Sequence, residues 1–89
     1  MPILSIIESR EYAKRERSFN HKIGDIVHIF RRANSHEGGW LYSWVSEMDV
    51  TEGKYGIIVE TGDDQGAGIK IRTDSNEFYY PYTCLRIIR

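Results

Sequence analysis

Between Trp40 and Val59 the chain reads WLYSWVSEMDVTEGKYGIIV, and this run restricts the fold more than any other. It starts with two tryptophans, passes through an acidic turn and ends in a β-branched stretch. β-branched and aromatic side chains suit a pleated, half-buried surface. Gly53 stands where the chain needs a positive φ before entering the next strand. The whole chain has 89 residues, with two Trp, six Tyr and three Phe. That length holds one domain with a modest core, and aromatic rings fill such a core at low rotamer cost.

Further strands surround this run. Ile23, Ile26, Val27, Ile29 and Phe30 make a β-prone stretch entered through Gly24-Asp25. Ile26 and Val27 are neighbours, so strict alternation fails and part of this strand is expected to be covered on both faces. Ala33 to Gly39 is a loop by composition. Trp40, Tyr42 and Trp44 alternate with Leu41, Ser43 and Val45, which suits either a short strand or an extended loop packed over the fold's mouth. Ser46 to Lys54 is a turn region, and Tyr55 to Thr61 is the second strand. Gly62 to Gly68 is a hairpin loop. Ile69 to Thr73 alternates cleanly, with Ile69 and Ile71 inward. Asp74-Ser75-Asn76 turns the chain into a strand at Glu77 to Tyr80, which Pro81 ends. Tyr82 to Cys84 has the length of one 3₁₀ turn, and Leu85 to Ile88 is expected to close the fold against the first strand. The expected class is all-β, a small five-stranded antiparallel barrel over residues 21–89.

Residues 1–20 form an N-terminal helix or arm. Ser5 and Glu8 have the spacing of a capping box, which starts a helix near Ile6, and Tyr12 suits its inner face. The opening ILSII also suits a strand added to a sheet edge. Charge is uneven, although the net is only −1. Arg10, Lys14, Arg15, Arg17, Lys22, Arg31 and Arg32 outnumber the acids before Ala33, and acids dominate after it. The single cysteine, Cys84, excludes an internal disulfide and Cys-rich zinc sites. It fits a reducing, cytoplasmic setting. No apolar stretch approaches the ~20 residues of a membrane span, and no signal peptide is visible.

Met48-Asp49, Gly53-Lys54, Gly56, a β-branched strand, a Gly-rich turn, an alternating strand, an aromatic pair, Pro81 and Leu85 together resemble the SH3-like repeats of Mind bomb-type ubiquitin ligases. They also resemble related single-domain open reading frames among phage proteins. The likeness spans roughly His21 to Ile87. Trp40 and Trp44 sit where that pattern places its preceding tryptophans. Phe78-Tyr79-Tyr80 departs from it where tryptophan is common, and Met1 to Ser18 has no counterpart. The resemblance implies an SH3-like barrel that docks peptide. No RING-type Cys/His spacing exists, so it implies no ligase activity.

Aromatic grooves of such barrels hold extended or Pro-rich peptides, because flat rings match the ridges of a polyproline helix. The peptide-binding candidates are Trp40, Tyr42, Trp44, Tyr55, Tyr80 and Tyr82. Phe78 and Tyr79 belong to the same aromatic set. Glu47 and Asp49, with Glu37 and Glu52, favour Lys or Arg in the ligand. The bland reading is that most of these rings are core. The alternative function is a nucleic-acid-binding barrel that uses Arg10, Lys14, Arg15, Arg17 and Lys22, although interleaved Glu8, Glu11 and Glu16 have the pattern of a solvated helix face. Cys84 with His28 is a weak nucleophile-base pair. His28, His36 and Glu37 have no diagnostic metal-ligand spacing. The expectation is a non-enzymatic adaptor, of the kind a phage-type accessory protein would be, without cofactor or metal. Its partner is a protein or peptide, less readily a nucleic acid, and not a membrane. The sequence leaves the oligomeric state open.

Overall fold

A computed structural model describes residues 6–61, 66–74 and 76–88. Helix α1 spans Ile6–Arg17. Glu8 lies in its first turn, and Lys14, Arg15 and Arg17 lie in its last, each complementing the helix dipole. The expected cap residue Ser5, the remainder of the ILSII run before Ile6, residues 62–65 and Ser75 fall outside the described residues. Tyr12, Ala13 and Glu16 form the buried face of α1. The Tyr12 hydroxyl donates to Glu16 Oε1 at 2.7 Å and accepts the Tyr82 N–H at 3.0 Å. The helix is thus tied to the far end of the chain by a buried polar pair.

The chain turns at Lys22, whose N–H meets Asp25 Oδ2 at 3.0 Å. Strand β1 follows over Ile26–Ile29. A long excursion carries two 3₁₀ turns, Glu37–Gly39 and Ser46–Thr51. Residues 40–45 are an extended loop and not a strand. Gly53, at φ 83°, then admits β2, Tyr55–Glu60. Strands β3 (Ile69–Thr73) and β4 (Asn76–Tyr80) continue the meander. A 3₁₀ turn at Tyr82–Cys84 leads into β5, Leu85–Ile88. All five strands are antiparallel, in the order β4-β3-β2-β1-β5. As expected, β5 pairs with β1, with Ile26 opposite Ile88 and Ile29 opposite Leu85.

Two expectations need correcting. The sheet is not closed: β4 and β5 lie at its opposite edges, and no ladder joins them among the described residues. In addition, β1 obeys simple alternation. Val27 and Ile29 are fully buried, and Ile26 is 52% exposed. The Ile26-Val27 neighbours mark an apolar residue left on the outer face, not a strand covered on both sides.

The core lies between the sheet's inner face and a cover of loop and helix. Val27, Ile29, Ile58, Ile69, Ile71, Tyr80 and Leu85 come from strands, with Trp40, Met48, Tyr12 and Cys84 packed over them. Gly56 shows how tight the β2–β3 contact is. A Cβ there would stand 2.5 Å from Ile71 Cγ2 and 2.8 Å from Arg72 O. Because the second of these is backbone, relief requires the strands to separate. Gly56→Ala is therefore expected to destabilise by about 1–3 kcal/mol, read as a lower urea midpoint at unchanged m-value. An unchanged midpoint would refute the packing argument.

Candidate functional site

Loop 40–48 crosses the end of the sheet because two contacts hold it there. The Leu41 N–H donates to Gly66 O at 2.8 Å, and the Trp40 indole N–H donates to Ala67 O at 2.8 Å. Gly68, at φ 100°, makes the approach possible, since a Cβ on it would stand 2.8 Å from Trp40 Nε1. Residues 66–68 are buried beneath this loop, so that part of the expected hairpin loop is a seat for Trp40 and not an exposed tip.

A groove of about 280 Å³ opens between the loop and β4. Tyr42, Ser43 and Val45 form one wall, Phe78 and Tyr79 form the other, and Trp40 and Met48 form the floor. Successive strand residues point to opposite faces. A groove touching both Phe78 and Tyr79 therefore lies along the outer edge of β4. Tyr42 is 46% exposed and Val45 is 44% exposed. The Tyr42 ring is 6.0 Å from Tyr79 and stands perpendicular to Trp40 at 6.4 Å. Tyr79 is steadied by its hydroxyl bond to Glu60 Oε2 at 2.7 Å, with Lys70 Nζ 5.7 Å from its ring. The lining is thus apolar and aromatic on a braced scaffold.

The structure separates the remaining sequence candidates. Trp40 and Tyr80 are fully buried core residues. Tyr80 donates to Thr51 Oγ1 at 2.8 Å, and burial pushes its hydroxyl pKa up. Trp44 is half-buried against Tyr80, its indole N–H held by Asp49 Oδ1 at 2.7 Å. Tyr55 lies on the outer face of the sheet, stacked on His28 at 4.7 Å. Tyr82 packs against Tyr12 and Phe19 under the helix. Of these five, only Trp40 reaches the groove beside Tyr42, as its buried floor. Val45, Met48 and Ser43 line the groove and were missed. An irregular loop has no periodicity to mark its inner side, although the adjacent Phe78-Tyr79 pair on a strand did signal rings on both faces.

Most of the turn acids are engaged internally. Asp49 and Glu52 pair with Arg32 at 3.6 and 2.9 Å. Glu37 receives both arms of the Arg31 guanidinium, the Asn34 N–H and the Thr83 hydroxyl. Those bonds, led by Arg31, hold its carboxyl well below the usual range, at about 2, against the opposing effect of burial. Glu47 is exposed and makes no ion pair among the described residues.

On α1, Arg10, Lys14 and Arg17 line a cleft of about 340 Å³ with Ala13. Arg15 points elsewhere, donating to Gly38 O at 3.3 Å, and Lys22 lies beyond the helix. Tyr12 is buried, and Phe19 packs on Tyr82, so neither supplies this cleft with a stacking ring. Cys84 is buried, its thiol 3.3 Å from Pro81 O and pushed up to about 12 by burial. His28 sits on the other face of the sheet, so the two do not meet. Among the described residues, no three His, Cys, Asp or Glu side chains are placed to hold a metal ion. No helix of the described residues is long and apolar enough to cross a membrane.

No protein-family model matches the chain, and no curated protein or solved structure is significantly similar to it.

Proposed function

We propose that this chain is a non-enzymatic binding module of SH3-like type that takes an extended peptide in the groove between loop 40–48 and β4. The observation that carries the reading is the exposed Tyr42 and Val45 facing Phe78 and Tyr79 over a fixed floor. Preformed apolar clefts with a few polar groups are the usual form of a ligand site, and rigid rings bind at low entropy cost. The strand order, the long β1–β2 connection and the 3₁₀ turn before β5 support the SH3-like assignment. Glu47 at the loop favours a ligand with Lys or Arg beside its apolar residue. The adaptor role, a phage-type setting and a cytoplasmic location belong to the same proposal.

Titrating the ¹⁵N-labelled chain with a panel of Pro-rich and extended decapeptides carrying Lys or Arg tests it. Shifts should concentrate at residues 42–48 and 78–79. Tyr42→Ser should weaken binding at least tenfold (on the order of 1–3 kcal/mol) while leaving the melting temperature nearly unchanged, because Tyr42 is half exposed. Undiminished binding by that variant would sink the assignment.

A second reading draws on the Arg10, Lys14 and Arg17 stripe, whose charge suits phosphates. Binding of a single-stranded oligonucleotide that weakens steeply with salt would favour it. The absence of an available stacking ring in that cleft places it second.

A further inference from the structure

We propose that the outer face of the sheet docks a second copy of this chain. The face divides into two halves by strand. On β3 and β4 it is charged and internally neutralised: Arg72 pairs with Glu77 at 2.5 Å, and Lys70 pairs with Glu77 at 3.4 Å and Glu60 at 4.0 Å. On β2, β1 and β5 it is mainly apolar, with Glu60, His28 and Arg86 as its polar members. The register sets Ile57, Ile26 and Ile88 side by side in one row across the three strands. They are 39%, 52% and 44% exposed. The adjacent row is Tyr55, His28 and Arg86, with Tyr55 61% exposed. The inner face is covered by helix and loop, and among the described residues no second layer covers the outer apolar half. A sheet's apolar face is stable when another element covers it.

The arrangement fits a two-fold axis lying along β1. Such an axis sets β1 against β1 and β2 against β5 of the other copy. Ile57 then faces Ile88 of the second copy, and Ile26 faces its own equivalent. Tyr55 comes opposite Arg86 of the second copy, a cation over a ring. Arg86 already lies over the Phe30 ring at 4.8 Å, so it is adapted to an aromatic neighbour. The Arg72–Glu77 and Lys70–Glu77 pairs of β3 and β4 lie at the rim of the contact, with Arg72 beside Ile57. A shallow depression of about 290 Å³ beside Tyr55, Gly56 and Ile57 can receive an apolar side chain. An isologous contact needs only this one patch, used twice.

Area sets the strength. An apolar patch of this kind is on the order of 500 Å², so two copies bury about 1,000 Å², the lower bound of a biological interface. A contact of that size fits a weak, reversible dimer.

Sedimentation equilibrium across a concentration series tests it, on the wild type and on Ile26→Lys and Ile57→Lys, with circular dichroism confirming the fold of each. Both sites are exposed, and Ile26→Thr supplies a milder variant should either lysine disturb the sheet. The wild type should show concentration-dependent dimerisation, and each lysine, present twice per dimer, should weaken it more than tenfold. Tyr42→Ser should leave it unchanged, which separates this face from the peptide groove. A wild type that stays monomeric at the highest concentration would overturn the proposal, as would a dimer indifferent to both lysines. Ile26-dependent partitioning of a strictly monomeric chain onto phosphatidylserine vesicles would overturn it in favour of a lipid surface.

Discussion

Trp40→Ala should leave little or no cooperatively folded protein at room temperature. The side chain is fully buried, and its indole N–H holds Ala67 O at 2.8 Å. Truncation opens a large cavity beneath loop 40–48 and strands a buried carbonyl. Removing a buried tryptophan costs about 3–5 kcal/mol, and the orphaned acceptor adds about 1–3 kcal/mol. A small domain has about 5–15 kcal/mol in total, toward the lower end at this size. Trp40→Phe keeps most of the ring and loses the bond, so it should lower stability by only about 1–2 kcal/mol. Urea unfolding followed by circular dichroism reads both. A cooperative transition in Trp40→Ala within about 1 kcal/mol of wild type would show that Trp40 is not the loop's anchor. Because Trp40 is also the groove floor, its loss removes peptide capture through the fold, whereas Tyr42→Ser acts on the surface alone.

Glu37→Gln should remove about 2 kcal/mol at neutral pH and only a small part of that near pH 2. The carboxylate joins three segments: Arg31 just past β1, Asn34 in the following loop, and Thr83 in the 3₁₀ turn before β5. Its pKa is depressed when folded, to about 2. The folded state thus favours the ionised form more than the unfolded state does. The resulting stability is present above the ordinary carboxylate pKa of ~4.3 and is lost as pH falls through the window down to about 2. The full shift would be worth more. Arg31 is 40% exposed on its side chain, so solvent screening reduces the effect. Urea midpoints of wild type and variant, measured between pH 2 and 7, should converge on acidification. A constant gap across that range would assign the loss to packing instead.

Much of the strand layout is legible in the residues. Ile69-Lys70-Ile71-Arg72 alternates at period two, and Pro81 followed by Tyr-Thr-Cys marks the stop and the single turn. Gly53 before a β-branched run places the start of β2. These are local signals, set by backbone sterics and by which side chains can share a face. The site was less legible. Trp40 and Tyr42 stand two apart in the same alternating stretch, yet one is core and the other is surface. What separates them is the carbonyl of Ala67, a partner 27 residues away from Trp40 that no local pattern announces. Tyr55 looked like a groove residue because it is aromatic and follows the turn, but the β2 register sends it to the opposite face from Ile58. Closure of a barrel likewise depends on whether β4 and β5 meet, a question of accumulated twist along five strands and not of the composition of either.

The polar bond from Tyr82 N–H to the Tyr12 hydroxyl and the pairing of Ile26 with Ile88 share a consequence for how the chain acquires its shape. The β2–β3–β4 meander is assembled from neighbours, so its turns close at small entropic expense. Helix α1 and β1 each also find a partner at the other end of the sequence, across nearly the whole domain. Loop-closure entropy grows slowly with separation, but folding rates fall steeply as such distant contacts come to dominate. The two ends are therefore clasped to each other last in the logic of connectivity. The order of the core then depends on a seam between the earliest and latest segments of the fold.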